Sequence, residues 1–224
     1  EYNKNNMNRN LNFFNRKRKG LNIDITHRCA LECPRCPRQF AFRNKGKKVY
    51  GQDVTLNDIK KLSKHYQSFD FCGQLSDPVH HPKFIEILEY LKSVNTEINV
   101  HNASSQKSLS WYIKAFKANT NARWIFGIDG LPNESHIYRV NQDGEKLFKI
   151  MCESKKYLTR LPVWQYIIFR YNQEHIEEAK QMATDNGLGF ILIQSSRWLM
   201  NNDPLQPTGK YKLSWKHSPK NDKI

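Results

Sequence analysis

The chain is predicted to form an α/β domain, an open (βα)6 partial barrel built on a parallel six-stranded sheet. Three observations lead there. Strand-like runs alternate with amphipathic helical patterns through the middle of the chain, as successive βαβ units do. The polar and cysteine-bearing motifs fall at the C-terminal ends of those runs, where α/β sheets place ligands. A length of 224 residues also suits one such domain with a substantial core.

The elements follow in order. Strand-like runs are read at Leu21–Thr26, Ser68–Leu75, Glu97–His101, Trp124–Ile128, Val163–Arg170 and Phe190–Gln194. After the first run, Thr55 is placed as an N-cap with Asp58 in the first turn, followed by apolar Ile59, Leu62 and Tyr66. Pro82 opens the next helix, whose face carries Phe84, Ile87, Leu88 and Leu91. Residues 108–118, 143–158 and 174–186 read the same way, the last closed by Gly187. Six strands and five helices with right-handed crossovers assemble naturally as an open barrel.

Cys29, Cys33 and Cys36 stand as C-A-L-E-C-P-R-C at the end of the first strand-like run, three of the chain's five cysteines. On these residues alone three readings compete. A structural zinc site wants four N/S ligands, and His27 would complete a Cys3His set. A ferredoxin-like cluster would take Cys72 or Cys152 as its fourth thiolate. Three ligands to a cubane would instead leave one iron open to a non-protein ligand. Cys72 falls inside a strand-like run and Cys152 on an apolar helix face, where thiols behave as small hydrophobes, and neither is assigned to a cluster.

Residues 23–38, I-D-I-T-H-R-C-A-L-E-C-P-R-C-P-R, resemble the opening of the radical S-adenosylmethionine (SAM) enzymes. They are most similar to the branch that often carries a SPASM domain. The resemblance continues in order with Gln74-Leu75-Ser76-Asp77-Pro78-Val79-His80-His81-Pro82, His101-Asn102-Ala103, Gly127-Ile128-Asp129-Gly130, Tyr138-Arg139 and Ile167–Asn172 followed by Ile176–Ala179, covering roughly residues 20–198. It implies a partial TIM barrel in which Cys29, Cys33 and Cys36 hold a [4Fe-4S] cluster whose open iron chelates SAM. It also implies reductive cleavage of SAM to methionine and a 5′-deoxyadenosyl radical that removes hydrogen from a substrate carbon.

The resemblance assigns SAM contacts residue by residue. The backbone near Ser76 and Asp77 meets the amino group. Arg139 pairs with the carboxylate, as guanidinium does with two-toothed geometry. Asn102, Asp129 and Gln194 are candidates for ribose, and the backbone of Arg35, where the family often has an aromatic residue, for adenine. On the residues alone, Asp77 and Asp129 also suit turns, and Arg139 also suits an ion pair with Glu134. Ser76-Asp77 stands where the family has Gly-Glu, and Gly127 where it has the serine of S-I-D-G.

The formal net charge of +15 comes from residues 1–20, 35–48 and 209–224; the remainder carries 19 basic and 19 acidic residues. Arg35, Arg38, Arg43, Lys45, Lys47 and Lys48 are read as a basic loop over the mouth of the site, attractive to an anionic substrate or an acidic donor of the flavodoxin or ferredoxin type. Nucleic acid is not expected, because no aromatic residues interleave with the basic ones. No apolar run approaches the ~20 residues that span a membrane, no signal-peptide pattern opens the chain, and an odd cysteine count argues against a disulfide scaffold. The cytoplasm is expected.

Residues 1–19 are read as a basic extension, 20–198 as the barrel and 199–224 as a basic tail, with Tyr211–Trp215 a candidate cover for the barrel's open end. The last 26 residues contain no cysteine, so no SPASM-type auxiliary cluster is expected there. The leading functional expectation is a radical SAM enzyme acting on a small polar substrate, a sugar, nucleotide or phosphorylated compound. A peptide-modifying radical SAM enzyme is second, and a zinc-stabilised binding module is the non-enzymatic alternative.

Overall fold

The strands assemble in chain order. A computed structural model describes residues 19–49, 51–198 and 203–211. In it β1 (Leu21–Asn22), β2 (Ser68–Phe71), β3 (Glu97–Asn102), β4 (Arg123–Gly127), β5 (Val163–Ile168) and β6 (Gly189–Gln194) form one sheet in the order β1-β2-β3-β4-β5-β6. Every neighbouring pair is parallel. β1 and β6 are the free edges, yet Asn22 and Gln194 line the same cavity, so the sheet curves into an open barrel wall. Residues 1–18, 199–202 and 212–224 lie outside the described residues, and with them most of both basic extensions and the expected cover beyond Tyr211.

The connecting helices are α1 (Pro37–Lys45), α2 (Leu56–Leu62), α3 (Phe84–Ser93), α4 (Leu109–Ala118), α5 (Gly144–Ser154) and α6 (Ile176–Asp185). Their starts follow from side-chain acceptors. Thr55 and Asp58 form a reciprocal capping box on α2, while Ser108 and Asp143 accept the backbone N–H groups of Trp111 and Lys146. α1 was read as part of a basic loop. It is a helix because Pro37 supplies the preset φ of a first turn and Gly46, at φ +59°, closes it in the left-handed region.

Several strands end earlier than the sequence suggests, β4 by one residue and three others by more. β2 stops at Phe71 rather than Leu75 because Gly73 adopts φ +54° and turns the chain so tightly that a Cβ there would lie 2.2 Å from the Ser76 carbonyl oxygen. β5 stops at Ile168 rather than Arg170 because the Asn172 side chain accepts the Phe169 N–H and donates to the Ile167 carbonyl, capturing groups the ladder would have used. β1 is also shorter, although Ile23 N–H still donates to Asp70 O.

The convex face of the sheet is the core. Phe69, Phe71, Val100, Trp124, Phe126, Trp164 and Tyr166 alternate along the strands and are wholly buried against Leu88 and Leu91 of α3, Phe116 of α4, Leu147 of α5 and Ala179 of α6. Trp124 is the hub, with Phe84 and Phe116 meeting it edge to face at 6.0 and 4.9 Å. Burial of each such aliphatic or aromatic side chain contributes about 1.5–3 kcal/mol. The concave face is different: Asn22, Asp70, Asn99, His101 and Gln165 stand on it half-buried or exposed.

Candidate active site

The three clustered cysteines occupy the segment between β1 and α1, and backbone pairing fixes that segment. Cys36 is the N-cap of α1, donating its N–H to Cys33 O and accepting from Phe40. Glu32 N–H donates to Val140 O, Asn141 donates to Ala30 O, and Arg38 donates to Cys29 O at 3.0 Å. The segment is thereby sewn to residues 138–141. The thiols pack with Leu31, Tyr138 and Phe169 in a small apolar cluster apart from the main core, the two rings stacked at 4.0 Å.

Cys29, Cys33 and Cys36 line a cavity of about 540 Å³ at the C-terminal ends of the strands, together with Ser76, Asp77, Asn102, Arg139 and Gln194. Eight of the ten sequence-predicted site residues thus meet at one place, whereas Arg35 and Asp129 do not line it. Arg35 grips Asp203 with two hydrogen bonds of 2.8 and 2.9 Å, tying residues 203–211 to the cysteine segment. Asp129 is fully buried behind the cavity wall and holds Arg139, whose Nε lies 2.7 Å from its Oδ2. The other Asp129 oxygen accepts the Ile167 N–H. The ion pair weighed from sequence for Arg139, with Glu134, is therefore made with Asp129; Glu134 pairs instead with His175.

This pair makes Arg139 a fixed cation. Burial alone disfavours its charge, but the Asp129 carboxylate outweighs that and holds the guanidinium protonated well beyond the ordinary arginine range. Its seat depends on Gly127: a Cβ there would stand 3.0 Å from Arg139 Nη2 and 3.3 Å from Cζ.

Asp77 and Asn102 are structural anchors within the cavity wall. Asp77 is buried and accepts the N–H groups of Val79, Ala103 and Ser104, joining the ends of β2 and β3. Burial nevertheless pushes its carboxyl up to about 6. Asn102 donates to Tyr112 Oη and accepts from Ser104 N–H, so both ends of its amide are engaged. Ser76 Oγ donates to Asp24 Oδ1. Gln142, which carried no sequence signal, donates to the carbonyls of Ala103 and Gly127 and so clamps the ends of β3 and β4.

Cys72 corrects the sequence reading. It lies beyond the end of β2, not inside a strand, and it lines the cavity with its thiol donating to Asn22 Oδ1 at 2.8 Å. Cys152 stays on α5, half-buried near Asn186. His27 points to Asp53, at 3.6 Å, and among the described residues no three His, Cys, Asp or Glu side chains gather around a point that would hold a metal ion.

The donor set fits a polynuclear thiolate-bound cluster. Burial pushes the Cys29 thiol up to about 12 and raises Cys33 as well, against the pull of the Arg139 charge. Thiols so placed ionise when a bound cation supplies the missing positive charge. Cys29, Cys33 and Cys36 line one roomy cavity and fit a cubane with one open position, the fourth thiol on that lining, Cys72, being hydrogen-bonded to Asn22.

No protein-family model and no curated protein matches the chain. Solved structures do. SuiB of Streptococcus suis bound to S-adenosylmethionine superimposes with a TM-score of 0.67 at 11% identity, covering 90% of this chain and 46% of that one. SuiB bound to the precursor peptide SuiA gives 0.65 at 11%, covering 80% and 40%. Methylornithine synthase (PylB) gives 0.59 at 15%, covering 88% and 58%. The chain therefore spans about half the length of these neighbours, and it shares their fold over most of its own length.

Proposed function

We propose that the protein is a radical SAM enzyme acting on a small polar substrate. One observation supports this reading above all: the thiols of Cys29, Cys33 and Cys36, set within one short segment, line a single cavity with a charged arginine at the C-terminal ends of the strands, in a fold shared with SuiB bound to S-adenosylmethionine. Cys29, Cys33 and Cys36 would hold a [4Fe-4S] cluster. When bound, that cluster and SAM supply one-electron cleavage of a sulfonium C–S bond and a carbon radical able to abstract hydrogen.

The chain's own contribution is position and exclusion. Arg139, held by Asp129, presents a fixed positive charge for the SAM carboxylate. Asp77 and Gln142 hold the ends of β2, β3 and β4 together beside the cavity. Stacked Tyr138 and Phe169 pack beside the thiols and give them an apolar flank. Arg38, reaching from α1 into the cavity lining, extends the positive field toward an acidic flavodoxin- or ferredoxin-like donor. The cytoplasm suits such a site, and no described helix is long and apolar enough to cross a membrane.

A peptide substrate is the second reading, favoured by the likeness to SuiB bound to a precursor peptide. Anaerobic reconstitution should load about four irons and four sulfides per chain. With dithionite and SAM, the loaded protein should release 5′-deoxyadenosine and methionine. Zinc retained in place of iron would leave the binding-module reading standing instead. Deuterium exchange into a small-metabolite pool, as against a peptide pool, decides between the two enzyme readings.

A further inference from the structure

An ordinary eight-stranded barrel fills its interior with branched aliphatic side chains. Here the two walls of the cavity differ. The β4–β6 wall carries Ile125, Ile167 and Ile193 beside the uncharged Gln165 and Gln194, whereas the β1–β3 wall carries Asn22, Asp70 and His101. Register places Asp70 directly opposite Asn22, and His101 one step along β3 on the same face. His101 Nε2 lies 3.0 Å from Asp70 Oδ1, yet the two are not aligned as a hydrogen bond, and that oxygen is buried without a hydrogen-bond partner. The Asp70 side chain as a whole stays 39% exposed at the cavity. With Oδ1 shut against His101, it is the rest of the carboxylate that faces the cavity and that a ligand can reach.

The other acid lining the cavity, Asp77, already accepts three backbone N–H groups. Asp70 is therefore the acidic acceptor with capacity left for a ligand. Arg38, Arg139 and Arg197 line the same cavity, so it has a cationic and an acceptor part.

We infer that the concave wall of β1–β3 is the substrate-recognition surface, with Asp70 accepting a hydrogen bond from a hydroxyl or protonated amine of a small polar substrate. The isoleucines of β4–β6 pack against that substrate's apolar face. The inference rests on the proposed enzyme reading for its substrate, and it goes further by naming the chemistry the substrate must show.

Two probes test it on the anaerobically reconstituted, SAM-loaded protein: D-ribose, rich in hydroxyls, and 1,5-diaminopentane, a diammonium. Saturation-transfer NMR should detect at least one of them at millimolar concentration, and Asp70→Ala should weaken that binding at least tenfold. Asp70→Asn keeps an acceptor oxygen but no charge, so it should retain ribose and lose the diamine. Should the alanine variant fail to melt cooperatively, the near-isosteric asparagine variant and a probe-induced shift of the His101 ring signals in the wild type decide the matter. Binding of neither probe to the wild type, undiminished binding to Asp70→Ala, or the absence of a His101 shift overturns the inference. Iron, sulfide and SAM binding, measured on the same preparation, report separately on the enzyme reading.

Discussion

Arg139 Nε rests 2.7 Å from Asp129 Oδ2 in a setting where the carboxylate side chain is fully buried and the guanidinium 15% exposed. The two residues are ten positions apart and belong to different segments, one following β4 and one following a short 3-10 turn at Ser135–Ile137. Breaking a buried pair by removing one member leaves the other charge uncompensated, which typically costs 3–5 kcal/mol.

The first prediction follows from that geometry. Arg139→Ala should weaken SAM binding by about 1.5–3 kcal/mol, the value of a charged hydrogen bond, and Asp129→Asn should weaken it through misplacement of the arginine. Calorimetric titration of the reconstituted protein measures both. If both variants fold and bind SAM as the wild type does, Arg139 does not contact the ligand.

The second concerns the thiols. Cys29→Ala, Cys33→Ala and Cys36→Ala should each abolish iron loading, while Cys72→Ala and Cys152→Ala should retain it. Cys72 is the informative control because it lines the same cavity. Loss of iron in Cys72→Ala would make it a fourth ligand and close the open position.

A third prediction concerns pH. His80 Nε2 lies 2.9 Å from Ser104 Oγ, which itself donates to Gln106. Burial, then the charges of Lys107 and Arg38, push the His80 imidazole down to about 4 from an ordinary value of 6.5. A base with a depressed folded pKa stabilises the fold above its unfolded pKa, and the contribution is lost as pH falls from about 6.5 toward 4. Partial exposure to solvent reduces the full value to about 1–2 kcal/mol. Asp77, raised to about 6 by burial, titrates with the opposite sign over this range. The measurement is therefore the difference in denaturant stability between wild type and His80→Gln at pH 7 and pH 4.5. Parallel pH profiles would show that His80 bears no part of the acid sensitivity.

The fourth concerns α1 and the residues beyond it. Lys45, Lys47 and Lys48 are exposed, and α1 contains no buried residue. Reversing all three to Glu should cost about 1 kcal/mol or less, chiefly from the helix C-terminus at Lys45. Turnover with a flavodoxin-like donor should fall and lose its salt dependence, while dithionite-driven cleavage of SAM persists. A collapse in melting temperature with undiminished donor-driven turnover would assign these charges to the fold instead.

Much of the scaffold was legible because it is written locally. Thr55 with Asp58, Ser108 and Asp143 announce helix starts, and alternation within Phe69–Phe71 or Trp124–Phe126 announces a face against helices. α1 escaped because P-R-Q-F-A-F-R-N-K has no apolar stripe: nothing on it is buried, and it exists through its two ends. The cysteine segment and the cavity position of Ser76, Asn102, Arg139 and Gln194 were readable from motif order. What the motifs did not reveal is which side chains face inward to ligand and which are consumed holding neighbours. Arg35 is bound to Asp203, 168 positions away, and Asp129 to Arg139. Those choices are made by tertiary packing, as are the unannounced parts played by Gln142 and Cys72.

Gly127 gives position 127 and residue 139 a tightly shared plot of space. The missing side chain on the last residue of β4 is where the guanidinium lies, 3.0 Å from the point a Cβ would take. A serine there, as the related motif carries, would make the guanidinium give by a few tenths of an ångström against the buried carboxylate that anchors it, so the two positions are not independent. Any redesign of this site must weigh them as a couple: a hydroxyl introduced on the strand re-aims the partner at 139 slightly, and a double-mutant cycle across the two positions should show non-additivity.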